Sequence, residues 1–170
     1  MNYSLDNVFN GHLPIRVVYG FIRHDAYNGH YHLNPFNFQH VDLRQTAVYI
    51  NGQCLPMVPF TPDYTNRKNW VREYKNLFKT AGIGYSNAGL DVTREEFPEG
   101  YCLYAYDLTP NRAAADLTHL AAKEEGNVRI DFQFGSALQH AMSCIIFAEY
   151  EKVIGIDAQT NIKVYYSPIQ

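Results

Sequence analysis

Positive charge is sparse in this chain, and nowhere dense. Fourteen Lys and Arg against seventeen Asp and Glu leave a formal net charge of −3 in 170 residues. The isoelectric point is near 6.1. No basic run supplies an electrostatic footprint for nucleic acid or for an anionic membrane surface. Cysteine is also scarce: Cys54, Cys102 and Cys144 are an odd, widely separated set with no C-x-x-C pair, which excludes a zinc knuckle and gives no disulfide framework. Each lies in an apolar, strand-like context, where a thiol behaves as a small hydrophobe. No segment approaches the roughly 20 apolar residues of a membrane helix. The opening Met1-Asn2-Tyr3-Ser4-Leu5-Asp6 has no basic region ahead of an apolar stretch, so no secretory leader and a soluble chain are expected.

What is abundant is aromatic. Fourteen Tyr and ten Phe bring aromatics to 15%, within 46% apolar and only 18% charged residues. With a mean hydropathy of −0.31 the composition is globular rather than disordered. Tyr and Phe suit pleated, half-buried surfaces, and Tyr also suits recognition. A chain of this length fits one domain, taken as residues 1–170.

The pattern predicts a string of strands. Residues 13–22 are β-branched and aromatic on both faces and read as a sandwiched strand. Residues 24–39 form a long loop rich in Asn, Gly, Tyr and His. Residues 43–50 and 53–58 flank Asn51-Gly52, the strongest short hairpin signal, because both residues tolerate positive φ. Residues 67–81 predict a helix with Trp70, Tyr74, Leu77 and Phe78 on its core face, Arg72, Glu73, Lys75 and Lys79 facing elsewhere, and Gly82 as its stop. Thr93-Arg94-Glu95-Glu96 has capping-box spacing and predicts one helical turn. Further strands are predicted over 101–108, 127–134, 143–150, 153–157 and 162–166. About eight strands with one helix predict an all-β fold, closed as an antiparallel jelly-roll β-sandwich.

Catalytic motifs are missing. There is no G-x-S-x-G, no Ser or Cys flanked as an activated nucleophile, and Gly82-Ile83-Gly84 lacks the rest of a phosphate loop. Glu95-Glu96 and Glu124-Glu125 are adjacent pairs that diverge on regular structure and read as solvated faces. His24, Asp25, His30, His32 and His40 share one loop region, and alternate residues of an extended segment point the same way. No second pair completes a ligand spacing, so an exposed polar loop is expected, without metal or cofactor. Tyr27, Asn28, His30, Tyr31 and His32 are the candidate recognition residues, offering rings and hydrogen-bonding groups.

The string Asn34-Pro35-Phe36-Asn37-Phe38-Gln39-His40, with Tyr49-Ile50-Asn51-Gly52-Gln53, resembles a signature of the capsid-type proteins of Maverick/Polinton elements and adintovirus-like viruses. Supporting blocks include Asp25-Ala26-Tyr27-Asn28-Gly29, Tyr104-Ala105-Tyr106-Asp107-Leu108-Thr109-Pro110 and Ala148-Glu149-Tyr150-Glu151, in order from Leu5 to Tyr166. The structural signature residues are Asn34, Pro35, Phe36, Phe38, His40, Asn51 and Gly52. The resemblance implies a viral structural domain of the virion that self-assembles, as a homotrimer, with other virion proteins as partners. Assembly inside the host cell, in the nucleus, is implied too. The match is to the C-terminal jelly roll of a double jelly roll, and the N-terminal one has no counterpart here. Nothing functional carries over to residues 111–125.

No enzymatic activity, nucleic-acid binding or membrane insertion is expected. A trimeric fibre-head domain engaging a host receptor is the alternative within virion biology. Outside it stand a carbohydrate-binding, lectin-like jelly roll using residues 24–40, which glycan-array binding would favour, and a cupin-type metal enzyme, which bound zinc or iron would favour. Phe36 and Phe38, two residues apart after Pro35, are expected to share a face and anchor their segment in the sandwich core.

Overall fold

A computed structural model describes residues 1–66, 69–84, 91–115 and 124–165. It is an all-β sandwich of antiparallel strands with one substantial helix. One sheet has the order β1 (Asn2–His12), β8 (Glu125–Phe134), β4 (Leu43–Ile50), β5 (Gln53–Phe60). The other is centred on β2 (Arg16–Arg23). Along one side of β2 runs β9 (Met142–Glu149); along the other lie β7 (Leu103–Asp107) and β3 (Phe38–Gln39), with β6 (Glu99–Gly100) beyond β3. A separate hairpin pairs β10 (Val153–Ile156) with β11 (Ile162–Tyr165). The chain crosses between sheets from β1 to β2, β3 to β4, β5 to β6, β7 to β8 and β8 to β9, as in a jelly roll. The steps from β2 to β3, β4 to β5 and β6 to β7 each stay within one sheet.

The core is aromatic. From β2, Val17, Tyr19 and Phe21 point inward at period two; from β8, Val128, Ile130, Phe132 and Phe134 meet them. Tyr19 and Phe21 contact Phe132 edge-on, with centroids 5.4 and 5.1 Å apart. Such offset and T-shaped pairs are worth about 0.5–1.5 kcal/mol each beyond burial. The phenols buried with them find partners. Tyr19 is hydrogen-bonded to Thr46 and donates to the Tyr106 hydroxyl at 3.2 Å, while Tyr64 and Tyr104 share a 2.8 Å bond. Burial raises the pKa of all four tyrosines, so they stay neutral.

Helix α2 (Val71–Thr80) begins after Trp70 rather than at 67, and residues 67–68 lie outside the described residues. Trp70 and Phe78 are buried, Tyr74 and Leu77 half-buried, as the stripe requires. Glu73 corrects the expectation of a solvated charge. It is 4% exposed, its carboxyl held by the backbone N–H groups of Thr61 and Glu73, and burial raises its pKa. Gly82 ends the helix at φ +83°, the left-handed conformation that a C-terminal stop needs. The capping-box bonds at Thr93 and Glu96 form and open the single turn expected: the Thr93 amide donates to Glu96 at 2.9 Å, the Glu96 amide to Thr93 Oγ1 at 3.2 Å, and the Phe97 amide to Thr93 O at 3.1 Å. Phe97, fully buried, pins that turn to the core.

Among the described residues, eleven strands replace the expected eight or so. The addition of consequence is β1, whose polar, exposed sequence carries no alternation. β3 and β6 are two-residue strands, and α1 (His24–Tyr27) is a single turn after β2.

Candidate functional site

Residues 34–40 enter the fold through a local turn. The Asn34 side chain accepts the Phe36 amide at 2.9 Å, and Phe36 O accepts the Phe38 amide at 3.2 Å. That turn throws Phe36 outward, where it is 75% exposed. The expectation that Phe36 anchors the core is therefore overturned: the turn, not a strand, sets its direction. Phe38 is an anchor of a different kind. Its half-buried ring lies on the outer face of the β2 sheet over Gly20, where a Cβ would stand 2.7 Å from Phe38 Cδ1 and 2.9 Å from Leu103 Cδ2. Gly20 is thus a close-approach glycine, which the sequence does not distinguish from any other.

His40 ends the segment. Its Nδ1 accepts the Asp42 amide at 3.0 Å, and its ring stacks on Tyr64. Burial lowers the His40 pKa, so the ring is neutral with the remaining proton on Nε2. Val41 and Asp42 follow with φ of +45° and +47°, a left-handed pair that costs free energy for a β-branched residue and needs outside support. Support comes from Arg44, whose guanidinium lies 3.1 Å from Asp42 and 2.8 Å from Asp63, and from the Gly135 amide, which donates to Asp42 O at 2.8 Å.

These residues form one wall of a groove of about 490 Å³. Asn37, Gln39, His40 and Asp42 line it together with Glu99, which pairs with Gln39 on the neighbouring strand, and with His140 of the β8–β9 loop. Half of the fourteen lining residues carry an amide, a carboxylate or an imidazole, which suits hydrogen-bonded recognition of a polar ligand. Ser136 shares the groove, yet among the described residues no hydrogen bond joins it to either histidine, so it is not set up as an activated nucleophile.

The other candidates stay apart from this groove. Tyr27 ends α1, and Asn28, His30, Tyr31 and His32 sit on the exposed loop beyond it; Tyr31 is 93% exposed. His30 and His32 face each other with centroids 6.1 Å apart, but His30 Nδ1 is occupied by the His32 amide at 3.3 Å. Among the described residues no three His, Cys, Asp or Glu side chains come together to hold a metal ion. Asn51 and Gly52 form the β4–β5 turn at φ +49° and +84°. Asn51 also reaches β8, its Oδ1 accepting the Asn127 amide at 2.9 Å. Cys102 is buried against Tyr64 and Tyr104 with its pKa pushed up to about 12, and burial does the same to Cys144. Neither is a reactive thiolate.

A second surface is apolar. Phe147 on β9, Tyr150 after it, and Ile154, Ile156 and Ile162 on the β10–β11 hairpin are all exposed, the last three by 62–70%. The sequence reading placed strands here but drew no interface from them. Isolated exposed hydrophobics are ordinary; five close in sequence on consecutive strands are not.

Among the described residues, no helix is long and apolar enough to cross a membrane. No protein-family model matches the chain, and no solved structure matches it. It is similar to an uncharacterised protein of Caenorhabditis elegans, F54H12.2, with 25% identity over 159 residues. The match takes in 92% of this chain and 37% of that protein, so the chain spans little more than a third of its relative's length.

Proposed function

We propose that this is a non-catalytic structural domain that associates with copies of itself, in a virion as the signature resemblance implies. The exposed isoleucines of β10–β11 with Phe147 of β9 carry the self-association. Exposed apolar side chains of this size are stabilised by covering them. The homotrimer, other virion proteins as partners and nuclear assembly rest on the resemblance alone. Light scattering at micromolar concentration tests the reading: masses at multiples of the 19.5 kDa chain are expected, three chains if the resemblance holds. A strict monomer overturns self-association.

A second reading, recognition of a glycan or host receptor, is favoured by the amide- and carboxylate-lined groove beside His40. Glycan-array binding lost in Gln39→Ala and retained in Tyr31→Ala would favour it and place the ligand in the groove and not on the loop.

A further inference from the structure

The edges of the two sheets are not equally protected. An uncovered strand edge is a template for another strand, and folds usually blunt such edges with proline, bulges, charges or a covering helix. β5 carries Pro56 and Pro59, and Arg72 of α2 donates to Pro59 O at 2.8 Å. β1 is broken by a bulge between Leu5 and Phe9, with Asn7 at φ +54°. β7 is covered by α2, whose Asn76 donates to Ala105 O at 2.5 Å. β6 has only two residues. Among the described residues β9 has none of these devices: its eight residues pair with β2 alone, and Ser143 to Ala148 contain neither a charge nor a proline.

The direction of its free groups follows from its bonds. Ala141 O accepts the His24 amide at 2.9 Å and Glu149 O the Ile15 amide at 2.8 Å, so odd-numbered residues of β9 turn their backbone groups toward β2. The N–H and C=O of Met142, Cys144, Ile146 and Ala148 therefore point away from the sheet, and no described residue bonds them there. Side chains alternate too. Cys144, Ile146 and Ala148 lie on the core, which leaves Ser143, Ile145 and Phe147 on the outer face.

We propose that β9 pairs antiparallel with β9 of a second copy of this chain about a two-fold axis at Ile145, joining two five-stranded sheets into one. In this register Met142 exchanges bonds with Ala148, and Cys144 with Ile146, so every outward group in the strand finds a partner. Ile145 faces Ile145 and Phe147 faces Ser143 on the outer surface. The one charge on β9, Glu149, faces Ala141 and already holds Arg16 at 2.9 Å, so no like charges meet. The contact is isologous and yields even numbers of chains, two alone or six where a separate contact closes a trimer. It rests on the self-association reading and specifies the contact that β9 makes within it.

Ile145→Cys tests it by gain. A directly opposed, non-hydrogen-bonded pair has Cα atoms about 4.5 Å apart, inside the roughly 4.4–6.8 Å that a disulfide spans. Mild oxidation should convert Ile145→Cys to a covalent dimer on a non-reducing gel, while wild type and Ser4→Cys on the β1 edge remain single chains. Ala148→Pro removes one outward N–H and no bond to β2, and should halve the mass in light scattering while keeping the wild-type melting temperature. If Ala148→Pro fails to fold, the crosslink decides. A wild type that is oligomeric while Ile145→Cys does not crosslink overturns β9 pairing and leaves self-association standing. A monomeric wild type without a crosslink overturns both.

Discussion

The imidazole of His40 lies face to face with the ring of Tyr64, centroids 4.5 Å apart and planes 19° from parallel. Tyr64 stacks in turn on Trp70 at 5.6 Å, and Trp70 Nε1 donates to Arg94 O at 2.8 Å. The column ties residues 34–40, the start of α2 and the turn at Thr93 into one unit. A neutral imidazole fits it, whereas a charged one loses solvation and gives up the Nδ1 acceptor that the Asp42 amide uses.

The consequence is a pH dependence with a definite sign. The folded-state pKa of His40 lies below its ordinary value, so the unfolded chain binds the proton more readily. The contribution of His40 is present above about pH 6.5 and is lost as pH falls through the folded-state pKa. Glu73, raised by burial, acts oppositely, its neutral form being favoured as pH falls. Wild type should therefore lose more melting temperature between pH 7 and pH 5 than His40→Phe, which keeps a ring on Tyr64 but does not titrate. Equal losses in the two proteins would refute the assignment.

Gly20 and Phe38 define a coupled pair. Adding a methyl at Gly20 forces the Phe38 and Leu103 side chains aside, and the Cys102 carbonyl, 3.1 Å away, is backbone and yields little. Gly20→Ala should destabilise by about 1–3 kcal/mol. Phe38→Ala should cost about 1.5–3 kcal/mol, less than a core phenylalanine, because its ring is half-buried outside the sandwich. In the double variant the clash with Phe38 disappears, so the sum of the single effects should exceed the double. Strict additivity in denaturant melts would show that the ring does not rest on Gly20.

Legibility in the sequence followed burial. β8, with its period-two apolar face, matches its expected span to within two residues, because alternation is written where one face is dry, and β4 was legible from the Asn51-Gly52 turn that follows it. β1 was illegible for the converse reason: on an exposed edge its pairing with β8 is made by backbone atoms, which any sequence supplies. Glu73 departs from the expectation because charge marks a surface only until buried backbone amides donate to it. The groove could not be read at all. It depends on Gly20, Gly135 and the Arg44–Asp63 contact, long-range meetings with no local pattern.

Phe36 separates a turn residue from a core residue. At 75% exposure its ring has little transfer free energy to lose, so Phe36→Ala should shift stability by no more than about 0.5 kcal/mol. Asn34→Ala, which removes the side-chain acceptor for the Phe36 amide, should cost more, about 0.5–1.5 kcal/mol. A reversed order in chemical denaturation would mean that Phe36 is covered in solution, as a partner surface would be.

Asn51 carries two duties that substitution separates. Its left-handed backbone begins the β4–β5 turn, and its side chain holds the Asn127 amide of β8. The fit is close: a Cβ at Gly126 would lie 2.6 Å from Asn51 Nδ2, so the amide fills the space that Gly126 leaves. Asn51→Gly keeps the turn and removes only the side chain, and should cost about 0.5–1.5 kcal/mol. Asn51→Ala adds the left-handed penalty of roughly 1–2 kcal/mol on top. Gly126→Ala should destabilise wild type but be better tolerated with Asn51→Gly, where the three atoms nearest the added methyl are gone. Thermal melts of the four proteins give the coupling. If Gly126→Ala is as harmful beside Gly at position 51 as beside Asn51, then the β4–β5 turn does not lock onto β8 through this side chain.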